Sequence, residues 1–487
     1  MRSRMTRREL LRKAALIGSV GFLAACKPKV VEVTKVVEKV VEKVVKETVE
    51  VEKEKVVTKV VKQTVVVEAA KKKSEFKEVR IARCGWMEAE LPFDQLAATY
   101  NALPERDRDK VRIVFDPAGK TPTDPVIAEM MASGEEIPWN AHNCQTPFLD
   151  LGRTLQLGTI QEWDPYFANS QYKEAAARIT GPDFLDSARA DCSYQGKIYA
   201  LPLQADVDCL MYRKDYFEAV GQTEPPKTLD ELFEVAKAVQ GKFKKEGVFG
   251  FAPIPACTWR YIAALHQAFS PREKLFTKEG LMNILDEGWL AAMEWTKKVI
   301  DAGMAPAGWE TAGGWSQIWN KGKLASEIMM HGEGCRGGMI FGYERLKMVP
   351  TPLGNPELKK PGTMFWTSCA ALFKAAPYPQ EVVDFYAWAM DPENAVTHKG
   401  IFKAGKLDPW KSPYEKHIDP ENVTQNWALS LLPLFEAATP PPVTPWYITQ
   451  HKAIVPEFVK FLKGKKSAKE AMEEAWKIIQ EEIAKAK

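Results

Sequence analysis

Residues 30–68 consist almost wholly of Val, Glu, Lys and Thr, repeating roughly every four residues as Val-Val-Glu-Lys and its variants, and no globular core can be built from them. In an α-helix a four-residue period drifts ~40° per repeat, so the valines never gather on one face. In a strand each valine pair puts one side chain on either face. The tract therefore reads as a solvated, largely extended spacer, with a partly helical or self-associating stalk as the alternative. Fully extended it reaches on the order of 130 Å. It divides the chain into a short leader and a long body.

The leader is basic (Arg2, Arg4, Arg7, Arg8, Arg12, Lys13), followed by an apolar run over 14–25 and then Leu23-Ala24-Ala25-Cys26. This is the pattern of a signal peptide, residues 1–25. Twelve helical residues cover about 18 Å, well short of the ~30 Å hydrocarbon core, so the run is not a permanent span. Leu23 to Cys26 resembles a lipobox and Thr6-Arg7-Arg8-Glu9-Leu10-Leu11-Arg12 resembles a twin-arginine signal. These resemblances imply lipidation of Cys26 and an anchor on the extracytoplasmic face of the membrane. The alternative is that Cys26 is an ordinary residue of an uncleaved segment. Acyl chains contribute roughly 0.8 kcal/mol per buried methylene, and one chain alone holds only weakly.

Residues 1–25 hold six basic groups and one acid, so the formal charge of +3 becomes −2 without them. The tract over 27–73 has thirteen lysines and eight glutamates, which leaves 74–487 at −7. An acidic body on a basic stalk argues against nucleic acid as the partner. The body is too long for one ordinary core and suits two lobes. Seven cysteines follow Cys26, at 84, 144, 192, 209, 257, 335 and 369, without C-x-x-C spacing, so they do not read as a disulfide framework. If the body folds in the reducing cytosol before export, buried thiols serve as small apolar side chains.

Within the body, alternation predicts a strand over 76–82, helix over 92–101, strand over 111–115, helices over 125–133 and 148–157, and a segment over 136–141 leading to a loop. Strand, helix, strand at this spacing suggests a βαβ unit with a parallel sheet. Thr228 and Glu231 form a capping box for a helix to residue 240 whose apolar face is Leu229, Leu232, Phe233, Ala236 and Val239. Ser467 and Glu470 repeat the box ahead of a closing helix striped with Met472, Trp476, Ile479 and Ile483.

Tyr194-Gln195-Gly196-Lys197-Ile198-Tyr199-Ala200-Leu201-Pro202-Leu203, then Cys209-Leu210-Met211-Tyr212-Arg213-Lys214-Asp215-Tyr216-Phe217, then Pro225-Pro226-Lys227-Thr228-Leu229-Asp230-Glu231-Leu232 resemble, in this order, segments of the family 1 extracellular solute-binding proteins, the maltose-binding-protein-like receptors of ABC importers. Arg213 stands for the usual Asn and Leu229 for the usual Trp. The likeness extends over about 76–487, with further matching segments at 131–143, 315–334 and 377–390. It implies an α/β fold of the two-lobed periplasmic-binding-protein type (type II). Residues 26–75 would be the lipidated cysteine and stalk. Lobe 1 would span 76–205 with about 371–438 returning to it, and lobe 2 would span 206–366 with about 440–487. Crossings are expected near 204–206, 366–371 and 439–445, with the ligand between the lobes beyond the strand ends.

A sugar presents hydroxyls and apolar C–H faces, so its site needs aromatic plates together with carboxylates and amides. Trp86 and Glu88 follow the first strand. Asn140, His142 and Asn143 form a second expected loop cluster, whose other reading is an ordinary turn. Asp206 lies at the first crossing, where the family commonly has an acidic ligand residue, and Asp208 shares its side of an extended strand. A hinge carboxylate can equally pair with a neighbouring base. Trp259, Trp315, Glu333, Trp366, Trp446 and Tyr447 would supply lobe 2 and the crossings, although buried tryptophans are often core.

Gly332-Glu333-Gly334-Cys335-Arg336-Gly337 matches G-x-G-x-x-G without the βαβ context of a phosphate cradle. His331-x-Glu333 lacks the P-C-x-x-C of a zinc deaminase. The six histidines show no metal spacing, and neither G-x-S-x-G nor Walker A occurs. The expectation is a monomeric binding protein, not an enzyme, with no cofactor or metal. Its partners would be a small solute, a sugar before a polyol, phosphate ester or peptide, together with ABC permease subunits and the membrane through the lipid anchor. The competing readings are a surface carbohydrate-active enzyme using Asp206 and Glu333 as acid and base, and a surface adhesion protein.

Overall fold

The computed structural model describes residues 75–486 except 84–90, 117–123, 146, 180, 254–257, 310–314 and 420. The leader, Cys26, the stalk, Trp86 and Glu88 lie outside the described residues. The strands among the described residues are β1 (Lys77–Ala82), β2 (Val111–Phe115), β3 (Ala141–Gln145), β4 (Ile160–Gln161), β5 (Ser193–Tyr194), β6 (Lys197–Ile198), β7 (Ala200–Arg213), β8 (Ser326–Met330), β9 (Leu346–Val349) and β10 (Phe365–Phe373). The main sheet runs β2-β1-β3-β10-β7-β8, with β4 on β10 and β9 on β7. β1 is parallel to β2 and β3, while β10 is antiparallel to β3 and β7.

Local sequence explains the first unit. Val79 and Ile81 on β1 and Val111, Ile113 and Phe115 on β2 alternate inward and are buried, and the helix Phe93–Asn101 lays Phe93, Leu96, Ala97 and Tyr100 over them. Fully burying each large side chain contributes about 1.5–3 kcal/mol. Gln195 and Gly196 both have positive φ, 50° and 79°, and form the two-residue turn between β5 and β6 that matches strand twist. Farther on, both capping boxes form: Glu231 N–H donates to Thr228 Oγ1 at 3.1 Å and Glu470 N–H to Ser467 Oγ at 3.2 Å. The first caps Leu229–Lys242, with the five expected apolar residues buried. The second caps Ala468–Lys485, where Met472, Ile479 and Ile483 are buried and Trp476 is half-buried.

β7 organises the rest. Its fourteen residues are all buried. Residues 200–207 pair with β10, and residues 208–213 pair with β8 and β9. One strand thus belongs first to the sheet built on β1–β3 and then to the sheet built on β8 and β9, which is the geometry of a crossing between two lobes. The helices Thr258–Phe269, Glu287–Asp301, Tyr447–Leu462 and Ala468–Lys485 pack together. Met364 bridges to Thr439 beside the extended, proline-rich run that follows it.

One expectation is corrected. Residues 141–145 are not a loop but strand β3, pinned between β1 and β10. Backbone pairing on both sides overrode a polar sequence, Ala-His-Asn-Cys-Gln, whose own propensity is weak.

Candidate functional site

A strand buried on both faces is ordinarily a near-continuous apolar run. β7 departs from this at Gln204, Asp206 and Asp208, alternate residues of one face, each no more than 5 % exposed. They sit where β7 changes partners: Asp206 is opposite Trp366 on β10, and Asp208 is opposite Met330 on β8.

Asp206 is held by two groups, with His331 beside it. Lys406, itself buried, places Nζ 3.0 Å from Oδ2, and Gly332 N–H donates to Oδ1 at 3.2 Å. His331 Nδ1 stands 3.4 Å from Oδ1, but Nδ1 accepts the Val207 N–H at 3.2 Å. It therefore carries a lone pair there, and the contact is not an ion pair. Burial pushes His331 down to about 4, the nearby Asp206 charge acting only as a partial counterweight, so the ring is neutral at pH 7. Its face lies against Trp427, with ring centroids 5.2 Å apart.

The helix His331–Phe341 caps this cluster, and its glycines serve close approach. A Cβ at Gly332 would come within 2.5 Å of Lys406 Nζ, one at Gly334 within 2.3 Å of Met211 Sδ, and one at Gly337 within 2.1 Å of Trp319 Nε1. The G-x-G-x-x-G spacing is thus a packing face. On β8, paired with Met211, Glu327 is fully buried, and neither carboxyl oxygen has a hydrogen-bond partner among the described residues. Burial, with the Glu333 charge added, pushes its carboxyl well above the usual range.

The other expected site residues fall in several places. Asn140 is buried; its backbone joins Arg80 and Phe373, and its Oδ1 accepts Tyr378 N–H at 2.7 Å. That makes it a clamp between β3 and the segment after β10. His142 stacks on Phe373 at 5.0 Å. Asn143 is buried with Oδ1 accepting from the Tyr386 hydroxyl, while its Nδ2 has no partner among the described residues. Glu333 is paired with Arg336 at 3.0 Å. Trp366 is 3 % exposed beside Asp206. Trp446 caps the helix Tyr447–Leu462, and Tyr447 is buried with its ring over His451. Trp259 and Trp315 open the helices Thr258–Phe269 and Trp315–Asn320, where only their backbone is described.

The structure thus brings Asp206, Asp208 and Trp366 together, with Glu333 on the helix above them. Lys406, His331 and Glu327 are not expected there, and Gln204 is expected at the crossing but not as a site residue. Lys406 lies 200 residues from Asp206, and nothing local marks it. Gln204 was readable in retrospect as a polar residue two positions before Asp206 on the same strand face.

Solved structures similar to this chain show its fold to be the two-lobed α/β type. A maltose-bound MalE3 of T. maritima superposes with TM-score 0.65 at 17 % identity, covering 83 % of this chain and 99 % of that one. The sugar-binding protein MalE of Xanthomonas citri gives TM-score 0.65 at 17 % identity, covering 84 % and 98 %. The family model of the bacterial extracellular solute-binding proteins matches residues 131–401, more than half the chain, and the chain belongs to that family. A binding protein of Brucella abortus is 30 % identical over 160 residues, 32 % of this chain and 35 % of its own. The maltotriose-binding protein of Pyrococcus abyssi is 28 % identical over 179 residues, 36 % of this chain and 33 % of its own. The chain thus spans about a third of the length of the curated relatives it matches.

Proposed function

We propose that this chain captures a carbohydrate between its lobes and delivers it to the permease of an ABC importer, catalysing nothing itself. The observation that carries the proposal is the polar face Gln204, Asp206, Asp208 at the point where β7 passes from one sheet to the next. Polar groups interrupting an otherwise apolar buried strand mark a position kept for function rather than stability. A ligand between the lobes touches both at once, which is what gives it differential affinity for the closed form. Asp206, oriented by Lys406 and Gly332 N–H, is a fixed acceptor for sugar hydroxyls. Asp208, two residues along the same strand face, and Trp366, opposite Asp206, are the adjacent polar and aromatic groups. The names of relatives and neighbours, which speak of maltose and maltotriose, support a sugar as the ligand class.

The division into lobe 1 (76–205 with about 371–438) and lobe 2 (206–366 with about 440–487) belongs to the same proposal, as do signal cleavage, a lipid on Cys26 and a monomeric receptor outside the membrane. Among the described residues no helix is long and apolar enough to cross a membrane. A hydrolase reading is disfavoured by the pairing of Asp206 with Lys406 and of Glu333 with Arg336. Each carboxylate is already engaged by a neighbouring cation, whereas a hydrolase needs its two carboxyl groups to meet the scissile bond.

The test is a thermal-shift panel on the full chain with maltose, maltotriose, chitobiose, polyols, sugar phosphates and short peptides. A ligand at a hundred times its dissociation constant adds ~2.7 kcal/mol to apparent stability. A midpoint raised by a peptide or phosphate ester and by no sugar would overturn the carbohydrate assignment. Release of product from a labelled oligosaccharide would overturn the receptor reading.

A further inference from the structure

We propose that Cys192 and Cys369 form a disulfide in the exported protein, joining the end of a lobe-1 helix to the crossing strand β10. Their sulfurs are 3.0 Å apart, about 1 Å beyond a disulfide bond of ~2.05 Å. Both side chains are fully buried. Cys192 directly follows the helix Asp186–Asp191, whose last residue takes the Thr367 N–H at 3.1 Å and its hydroxyl as donors. Thr367 Oγ1 in turn lies 3.1 Å from Cys369 Sγ and 3.6 Å from Cys192 Sγ. The same hydroxyl and carboxylate thus hold the helix end against β10, where the ladder shifts register between Ser368 and Cys369. Among the described cysteines this is the one pair whose sulfurs touch.

The chemistry needs a two-electron oxidant, here a small disulfide such as oxidised glutathione. One cysteine thiolate attacks it, forming a mixed disulfide and releasing one thiolate. The second cysteine thiolate then displaces the other, so two protein thiols become one disulfide and the reagent leaves as two thiols that take up the two protons. Burial raises both cysteine thiols above their ordinary range. Exchange therefore belongs to the open chain, before helix and strand close over the sulfurs. The bond would tie residues 177 positions apart and hold β10 at its bulge. The inference rests on the extracytoplasmic placement and on folding after export, as against the twin-arginine route on which the thiols would be closed over in the reducing cytosol, and not on the identity of any ligand.

The full chain is unfolded, refolded in a buffer of oxidised and reduced glutathione, alkylated, digested and mapped by mass spectrometry. The expected result is a peptide pair joined through Cys192 and Cys369, two hydrogens lighter than the separate peptides. Dithiothreitol should lower the melting midpoint by roughly 5 °C, and C369S should abolish that sensitivity. Alkylation of both cysteines after oxidative refolding overturns the proposal, as does either one joined to a different cysteine. The peptide map stands even if C369S fails to fold. The sugar panel fails or succeeds separately, because it can be run on the fully reduced protein.

Discussion

Replacing Lys406 by Met tests how the cluster at the crossing is held. Lys406 and Asp206 are 2 % and 5 % exposed with Nζ and Oδ2 3.0 Å apart. At an effective dielectric of about 20 two unit charges at that separation attract by roughly 5 kcal/mol, most of which offsets the cost of taking both out of water. K406M removes the attraction and leaves the desolvated carboxylate, so the loss should be about 3–5 kcal/mol. D206N should cost a similar amount by stranding the ammonium. The double variant removes both charges, and the amide of D206N can still accept the Gly332 N–H that Asp206 Oδ1 accepts now. It should be more stable than the sum of the single losses predicts by about 2 kcal/mol or more. Urea unfolding followed by both fluorescence and circular dichroism provides the assay, with coincident curves licensing the free energies. Single losses that add to within about 0.5 kcal/mol in the double variant would show that the pair is not coupled, and the account of Asp206 as a held acceptor would go with it.

Three further outcomes follow from the same geometry. G337A drives a Cβ to 2.1 Å from the rigid Trp319 ring, whereas G334A meets the flexible Met211 side chain at 2.3 Å; overpacking should cost about 1–3 kcal/mol for the first and less for the second, read as melting midpoints. T228A removes the acceptor of the Glu231 N–H and should lower stability by about 1 kcal/mol in urea. His331 and His266 are both pushed down to about 4, chiefly by burial. Depressed histidines stay neutral in the fold while the unfolded chain takes up protons below ~6.5, so each should contribute stability at pH 7 that falls as pH drops toward 4, by up to about 3 kcal/mol. Stability measured from pH 7 to 4.5 should flatten in H331N, and an unchanged slope would contradict a buried neutral ring.

Much of the framework was legible before any tertiary contact was known. Short-range signals carried it: alternation gave β1 and β2, and capping boxes set the starts of Leu229–Lys242 and Ala468–Lys485. Each needs only a few consecutive residues to act. β3 escaped because its sequence has no apolar alternation and is a strand only through its neighbours. Of the candidate site, Asp206, Asp208 and Trp366 were named from the crossings that the family resemblance implies and from their chemistry, and they do meet where β7 changes sheets. Lys406 could not be named, since an ion pair across 200 residues leaves no mark on either local stretch.

By itself, then, the sequence determined the periodic elements, the division into leader, spacer and acidic body, and the family resemblance, because each depends on composition or short-range spacing. Tertiary structure decided what charge and burial mean at each polar residue. It made the Gly-rich run a helix face rather than a phosphate cradle and set two distant thiols in contact. It also made Asp206, for which the sequence left a ligand role and pairing with a base both open, a buried acid paired with Lys406. Those properties belong to a low-dielectric interior assembled from residues far apart in the chain, and no local pattern encodes them.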